Sequence, residues 1–163
     1  MTMQIITAGR TAPNKLVRFG GADRPLDERG RRDVAALRTS SGILVGPIRC
    51  GPEAVAVQTA ALLGCAPVLD EALRALDVGR WDGLTPEDVP TDELRQWFGD
   101  PTSAPHGGES VEVFVARISK WRERADAGTV VVAKSVAQAL LCRDVGDFFS
   151  TELRPATIYG EGR

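Results

Sequence analysis

The chain has 163 residues, of which 43% are hydrophobic and 26% charged, a composition typical of one globular domain with a sizeable core. Its net charge of -2 argues against a nucleic-acid or anionic-membrane partner. No stretch approaches the roughly 20 apolar residues of a membrane span, and the first residues lack the basic and apolar regions of a secretion signal. We therefore expect a cytoplasmic protein.

Cysteine and lysine usage carry two further expectations. Cys50, Cys65 and Cys142 are odd in number and fit no C-x-x-C pattern, which indicates a reducing compartment. Only three of the 20 basic residues are lysines. Such a composition is typical of a GC-rich genome, for example that of an actinobacterium.

Short β-branched runs alternate with helical patterns along the chain. Residues 3–7 and "TVVVA" (129–133) predict central, buried strands. "GILVG" (42–46) predicts another strand, and "ATIYG" (156–160) a weaker edge strand. Helices are predicted at 27–39, 52–64, 91–98, 110–124 and 135–146.

The helix at 110–124 has the clearest pattern. Ser110 can cap its first turn. The apolar residues that fall on one face at helical spacing are Val111, Phe114, Val115, Ile118 and Trp121.

Alternating strands and helices predict an α/β fold, here a three-layer α/β/α sandwich with a mostly parallel central sheet. In that architecture a ligand lies beyond the carboxyl ends of the central strands. Residues 7–10 and 133–135 are therefore expected to face the same crevice.

A proline- and glycine-rich segment lies between residues 75 and 109 and contains Trp81, Trp97 and Phe98. We predict that residues 1–163 form a single domain with this segment as a lid-like insertion. Its aromatic residues are expected either to line a lid over the pocket or to form the core of the segment itself.

Six stretches, in order, resemble motifs of the histidine phosphatase superfamily. "IITAGRT" (5–11) with Asn14 resembles the family's Leu-Val-Arg-His-Gly-Glu-Thr and its following asparagine. The other five are "RFGGADRPLDERGRRDVAAL" (18–37), "CGPEAVAVQTAALLG" (50–64), "LDVGRWDGLTPEDV" (76–89), "PHGGESVEVFVAR" (105–117) and "VVVAKSVAQALL" (130–141). Because they cover nearly the whole chain, the resemblance implies a phosphoglycerate mutase-like fold.

The resemblance also implies a chemistry, from which this sequence departs. The family transfers a phosphoryl group through a phosphohistidine, using two arginines, a second histidine and a carboxylic acid. Here Ala8 holds the position of the nucleophile, Thr7 and Val55 those of the arginines, Lys134 that of the second histidine and Ala75 that of the acid. We therefore expect phosphohistidine chemistry to be absent.

The resemblance brings a set of residues to the vacated pocket. They are Thr7, Ala8, Arg10, Thr11, Asn14, Cys50, Val55, Ala75, His106, Glu109, Ser110, Lys134 and Ser135. This set is poorer in cations and more apolar than a phosphate site. We therefore expect a small organic ligand, for example one that bears a carboxylate, and no cofactor.

Lys134 and Glu109 are the candidate catalytic residues. At the end of a buried strand the Lys134 ammonium would be partly desolvated, which favours the neutral amine and suits a base or Schiff-base nucleophile. The alternatives for Lys134 are a ligand anchor or an ion pair with Glu109 in a closed pocket. Glu109 is a candidate general base, or else it caps the helix at 110–124 and pairs with Lys134.

Three further positions each have two interpretations. Arg10 either binds an anion beside Asn14 or forms a surface salt bridge. His106, the only histidine, lies either in an exposed loop or against a substrate, and a single histidine predicts no metal site. Cys50, just before the helix at 52–64, is either a reactive thiol or a packed small residue.

Two functions are open at this point. In the first, the pocket has been repurposed to bind, and in one version to transform, a small organic molecule, as in specialised metabolism. In the second, the chain is a non-catalytic pseudo-phosphatase with a structural or partner-binding role. Residual phosphatase activity through unusual groups is the least favoured alternative, and a homodimer is compatible with each.

Overall fold

A computed structural model of the chain describes residues 3–11, 17–40, 42, 44 and 46–160, and within them a five-stranded sheet forms the centre. The strands are β1 (Gln4–Thr7), β2 (Ile48–Cys50), β3 (Val68–Leu69), β4 (Thr129–Val132) and β5 (Ile158–Gly160). Their order is β3-β2-β4-β1-β5. The first four are parallel, while β5 pairs antiparallel with β1, with Gln4 opposite Gly160.

Five α-helices cover the two faces of the sheet within the described residues. They are α1 (Glu28–Ser40), α2 (Ala54–Leu62), α3 (Thr91–Gly99), α4 (Val111–Arg124) and α5 (Lys134–Leu141). This arrangement confirms the predicted three-layer α/β fold with a mostly parallel sheet.

The side-chain alternation of the two central strands separates two hydrophobic cores. Ile5 and Val130 pack with buried residues of α4 and α5 in one core. Ile6 and Val131 pack with buried residues of α1 and α2 in the other. Every residue of β4 is buried, as expected for a central strand covered on both faces.

Helix α4 follows its sequence pattern closely. The Ser110 hydroxyl accepts a hydrogen bond from the Val113 N–H at 3.1 Å and caps the first turn. The buried residues of the helix are Val111, Phe114, Val115 and Ile118. The predicted apolar face is therefore the face that packs on the sheet.

The strand predicted at 42–46 is wrong. Gly42, Leu44 and Gly46 lie outside any strand, residues 41, 43 and 45 lie outside the described part of the chain, and the strand itself begins at Ile48. Gly46 has a φ of 63°, a left-handed conformation that cannot continue an extended run. The short edge strand β3 was not predicted.

The predicted helix at 135–146 begins one residue earlier and ends at Leu141, because Asp144 caps a separate 3-10 helix at Val145–Asp147. Segment 75–109 contains two 3-10 helices, Gly79–Trp81 and Pro86–Asp88, followed by α3. Its action as a lid remains a prediction. None of the helices in the described residues is long and apolar enough to cross a membrane.

Candidate functional site

An open cavity of about 790 Å³ lies beyond the carboxyl ends of β1 and β4. Residues 8–11, which follow β1, line one part of it, and residues 133–135, which follow β4, line another. The Ala8 N–H donates to the Val132 carbonyl at 2.9 Å, so the parallel pairing of β1 and β4 brings the two loops together. The expectation that both strand ends face one crevice is confirmed.

The charged groups of the cavity are all basic. Among the described lining residues there are four cations and no carboxylate; the cations are Arg10, Arg18, Arg24 and Lys134. Arg18 donates from Nη1 to the Gly83 carbonyl at 2.7 Å, and its buried Nε has no hydrogen-bond partner among the described residues. The Arg18 guanidinium thus keeps one buried donor without a partner among the described residues.

Five aromatic residues also line the cavity, and they are Phe19, Trp97, Phe98, Phe148 and Phe149. The ring centroids of Phe98 and Phe149 are 4.8 Å apart, and those of Phe148 and Phe149 are 5.2 Å apart. Phe98 is 55% exposed, and Val17, which also lines the cavity, is 80% exposed. Large apolar side chains at a cavity rim favour an occupant with an apolar body.

Seven of the residues predicted for the site line this cavity: Ala8, Arg10, Thr11, Val55, Ala75, Lys134 and Ser135. The backbone positions of Ala75 and Leu76 are held by side chains from two other elements. Leu76 N–H donates to the Ser135 hydroxyl at 3.1 Å, and Ala75 N–H donates to a carboxylate oxygen of Glu53.

Arg10 combines the two interpretations given to it. Its Nε lies 3.7 Å from an oxygen of Asp27, so a salt bridge exists, and the side chain also lines the cavity. The neighbouring Thr11 forms a β-bridge with Leu26. Asn14, the predicted neighbour of Arg10, lies outside the described residues.

The expectation that Lys134 is partly desolvated is wrong. Lys134 is exposed because it is the first residue of α5 and its side chain borders the open cavity. It has no ion pair or hydrogen bond with another described residue, so the expected pairing with Glu109 is also wrong. An exposed and unpaired ammonium is suited to anchoring an anion.

Glu109 does not line the cavity. Its carboxylate accepts two hydrogen bonds of 2.8 Å from Nε and Nη2 of Arg117 and one of 3.2 Å from the Asp77 N–H. These contacts connect the backbone at Asp77 with Arg117 of α4, so the role of the Glu109 carboxylate is structural. Ser110 is likewise occupied with capping α4 and is absent from the cavity wall.

Thr7 and Cys50 lie beneath the cavity and do not line it. The buried Thr7 hydroxyl donates to the Arg154 carbonyl at 2.6 Å and accepts from the Thr157 N–H at 3.0 Å. Cys50 is fully buried, and its pKa is raised by burial and, to a smaller extent, by the Glu53 carboxylate. Cys50 therefore matches the interpretation as a packed small residue rather than that of a reactive thiol.

His106 is neither exposed nor part of the cavity wall. It is 1% exposed, and its ring centroid lies 4.5 Å from that of Trp97 and 5.0 Å from that of Trp81. Nδ1 accepts a hydrogen bond from the Gly108 N–H at 2.9 Å, which places the proton of a neutral ring on Nε2. Burial lowers its pKa, and Arg80 lowers it further. The interpretation of His106 as an exposed loop residue is therefore wrong, and its contact with a substrate stays a prediction.

Sequence reasoning missed several residues at or near the cavity. Arg18, Arg24 and Phe19 lie in the stretch 18–37, whose resemblance to a family motif was the available signal. Glu53 lies at the N-cap of α2, 2% exposed, with one carboxylate oxygen unpartnered among the described residues. No pattern in the sequence pointed to Glu53, because its partner is a backbone N–H distant in the chain.

Within the described part of the chain, no group of three or more histidine, cysteine or acidic side chains has the geometry to hold a metal ion. The basic and aromatic side chains of the cavity are also not the oxygen, sulfur or imidazole donors that metals take in proteins.

A model of the histidine phosphatase superfamily (branch 1) matches residues 5–157. The chain belongs to this family. It is 33% identical over 147 residues to the bifunctional protein Rv2228c of Mycobacterium tuberculosis and to protein Mb2253c of Mycobacterium bovis. These matches include 81% of this chain but only 40% of each relative, so the chain spans less than half the length of the curated relatives it matches.

Solved structures of the same family superpose on the chain. A mycobacterial glucosyl-3-phosphoglycerate phosphatase, Rv2419c, is 26% identical, with a TM-score of 0.79 and coverage of 98% of this chain and 88% of the other. A phosphoglycerate mutase of Thermus thermophilus is 24% identical, with a TM-score of 0.82 and coverage of 98% and 92%. The second likeness concerns the fold alone.

Proposed function

We propose that this chain is a histidine phosphatase superfamily member without phosphohistidine chemistry, and that its cavity binds a small organic anion. The observation that carries this proposal is a cavity with four cations, no carboxylate and a wall of aromatic rings among its described lining residues.

The residues that line the cavity support the loss of phosphoryl transfer. His106 is the only histidine in the chain, and it lies outside the cavity, packed between two tryptophans. Four of the five positions that correspond to the family's reactive groups line the cavity, and they carry Ala8, Val55, Ala75 and Lys134. Methyl and isopropyl groups neither accept a phosphoryl group nor stabilise its charge. We therefore do not propose for this chain the phosphatase activity for which the mycobacterial protein is named.

The preference for an anion follows from the distribution of charge. The chain as a whole has a net charge of -2, yet every charged residue of the described cavity lining is basic. Arg18 offers an unpartnered Nε, and Lys134 offers an ammonium without a partner among the described residues. A carboxylate or sulfonate would gain a charge-assisted hydrogen bond from the exposed Lys134 ammonium, and the positive charge of Arg18 would add to the attraction.

The preference for an organic body follows from the apolar wall. Phe98 and Phe149 are 55% and 37% exposed, and both line the cavity. Covering these rings would remove apolar surface from water, and each 100 Å² removed stabilises binding by about 2.5 kcal/mol before ordering costs are subtracted. A bare inorganic phosphate leaves this surface exposed.

Chemical conversion of the ligand has less support than binding. Glu109, the candidate base, is held by Arg117 away from the cavity wall, and Lys134 has no carboxylate beside it among the lining residues. The proposal is therefore binding. A structural or partner-binding pseudo-phosphatase would not need a cavity, whereas this chain has an open one of about 790 Å³.

The test uses a matched pair of probes, 1-naphthoate and the neutral 1-naphthalenemethanol, which share a ring system and differ in charge. Isothermal titration calorimetry should give tighter binding of the naphthoate. Lys134→Ala and Arg18→Gln should each weaken it about fivefold to tenfold, as expected for a charged hydrogen bond. Arg95→Ala is the control, because Arg95 is exposed on α3 and lies outside this cavity.

Three results would overturn the proposal. The first is equal affinity for the two probes, and the second is naphthoate binding that neither cavity variant changes. The third is robust hydrolysis of p-nitrophenyl phosphate by the purified chain, with a loss of turnover in Lys134→Ala.

A further inference from the structure

A second groove, of about 340 Å³, lies elsewhere on the molecule and shares no lining residue with the cavity described above. We call it the basic groove. Its lining residues are Arg49, Asp70, Ala72, Arg117, Lys120, Trp121, Arg124 and Ala125. Four of these residues are cationic and one is acidic, which leaves three positive charges in excess in a chain of net charge -2.

The cations of the basic groove come from two elements of the fold. Arg117, Lys120 and Arg124 lie on one face of α4, at i, i+3 and i+7, and Trp121 lies beside them. Arg49 comes from β2. Lys120 and Arg124 are four residues apart, a spacing at which like charges destabilise an isolated helix by about 0.2–0.5 kcal/mol. A bound anion would relieve this repulsion, which for Arg124 is also offset by its place in the last turn of α4, where the helix dipole favours a cation.

The single carboxylate of the groove is already occupied. One oxygen of Asp70 accepts a hydrogen bond from the Ala72 N–H at 3.0 Å, and the other accepts from Trp121 Nε1 at 2.7 Å. Asp70 forms no salt bridge with a cation of the groove among the described residues. Its role is to fix the Trp121 ring and the turn at Glu71–Leu73.

The four cations differ in how they are held. Arg117 is fixed by Glu109 and by the carbonyls of Ala72, Arg74 and Ala75, at 3.1, 2.9 and 3.3 Å. For Arg49, Lys120 and Arg124 the structure gives no hydrogen bond or ion pair with any described residue. One rigid cation and three free ones thus surround the same small volume.

We propose that the basic groove is a binding site for a compact polyanion, one that carries at least two adjacent phosphate or carboxylate groups. The volume of about 340 Å³ suits a group of that size and not a large organic molecule. Because Arg117 is paired with Glu109, the three free cations and the Asp70 carboxylate leave two positive charges in excess, which matches a ligand with at least two negative charges. Guanidinium groups bind phosphate and carboxylate oxygens in pairs, so the two arginines and the lysine that are free can each contribute hydrogen bonds.

The test measures binding of pyrophosphate and of citrate to the full chain by isothermal titration calorimetry. At least one of the two polyanions should bind at low ionic strength. Comparison of their affinities shows whether the groove prefers a ligand with phosphate groups or one with carboxylate groups. Lys120→Ala and Arg124→Ala should each weaken binding about threefold to tenfold, while Lys120→Arg retains it. Arg95→Ala is the charge-matched control, because Arg95 is exposed and lies outside both the groove and the cavity.

Absence of binding of either polyanion at low ionic strength would overturn the proposal. So would equal weakening by Arg95→Ala and Lys120→Ala, because that result would mean attraction by the net charge of the whole surface. The proposal is independent of the organic-anion site: Lys120→Ala should leave 1-naphthoate affinity unchanged. If Lys120→Ala lost both polyanion and 1-naphthoate binding, the substitution would have damaged the fold, and circular dichroism of the same variant would detect this. The polyanion affinity of Arg124→Ala would then decide whether the groove is the binding site.

Discussion

The carboxylate of Glu109 and the guanidinium of Arg117 form two parallel hydrogen bonds of 2.8 Å, from Nε to one oxygen and from Nη2 to the other. The same guanidinium donates to the carbonyls of Ala72, Arg74 and Ala75. Because Ala75 lines the cavity, this pair connects helix α4 with the cavity wall.

Replacement of Arg117 by lysine should destabilise the protein. An ammonium cannot reproduce the planar fork that binds Glu109, nor reach all three carbonyls at once. We expect a loss of about 1–2 kcal/mol in the free energy of unfolding, measured by urea denaturation. Arg95→Lys, at an exposed position of α3, is the matched control and should change little. Equal stability of the two variants would contradict this account of the pair.

Gly79 should not tolerate a side chain. Its φ is 51°, and an added Cβ would lie 2.2 Å from the His106 carbonyl oxygen. Gly79→Ala should therefore cost about 1–3 kcal/mol or more of stability. Gly99→Ala is the control, because a Cβ there meets no atom within 4 Å and the φ is not positive. Thermal unfolding of both variants distinguishes a local clash from a general intolerance of alanine.

His106 should make the stability of the protein depend on pH. Burial lowers its pKa from the ordinary value of 6.5, against a smaller opposing effect of the Asp77 carboxylate and with a still smaller contribution from Arg80, so the folded state binds its proton less readily than the unfolded state. The stabilising contribution is fully present above the unfolded-state pKa. It is lost progressively as the pH falls below 6.5 toward the lowered pKa of the folded state.

Urea denaturation between about pH 7.5 and pH 5 measures this dependence, in a range above the titration of ordinary carboxylates. His106→Gln should be less stable at neutral pH and should lack the extra decrease below pH 6.5. A variant with the same slope as the parent protein would assign the dependence to other groups.

The thiol of Cys50 should be unreactive in the folded protein. Burial raises its pKa, and the nearby Glu53 carboxylate raises it further, so the thiolate is scarce and inaccessible. Labelling with an uncharged maleimide should modify the partly exposed Cys65 and Cys142 first. Cys50 should react only after denaturation, and peptide mass spectrometry identifies the sites. Rapid native labelling of Cys50 would be inconsistent with its position in the core.

Restoring a histidine at position 8 should not restore phosphatase activity. Ala8→His would place an imidazole at the cavity, but Val55 and the buried Thr7 would still stand where the family has arginines. Without those cations the transferring phosphoryl group lacks stabilisation of its charge. We expect no hydrolysis of p-nitrophenyl phosphate above the rate in buffer. Substantial turnover by this single variant would mean that other groups already supply that stabilisation.

The sequence was sufficient to predict the layers of the fold and the place of the cavity. Ile5, Ile6 and the valines of β4 are the β-branched residues of buried strands, and the ends of parallel strands meet at one edge of the sheet. Ala8 and Lys134 were assigned to one pocket for that reason, and both line it.

The environment of single side chains was less predictable. Whether Lys134 is buried depends on where α5 begins, and whether His106 is exposed depends on the fold of Trp81 and Trp97 around it. Glu109 was paired with the wrong cation because Lys134 and Arg117 are both plausible by charge alone. Only the geometry distinguishes them.

The hydrogen bonds of the Thr7 side chain affect the order in which parts of the structure form during folding. Its hydroxyl bonds the backbone of Arg154 and Thr157, partners 147 and 150 residues away, and the Ala156 N–H donates to the Ala8 carbonyl at 3.2 Å. Contacts between such distant residues form late and slow the folding of a chain. During synthesis on the ribosome, the loop after β1 therefore stays without its final supports until nearly all of the described chain has emerged, and the complete cavity is among the last features to form.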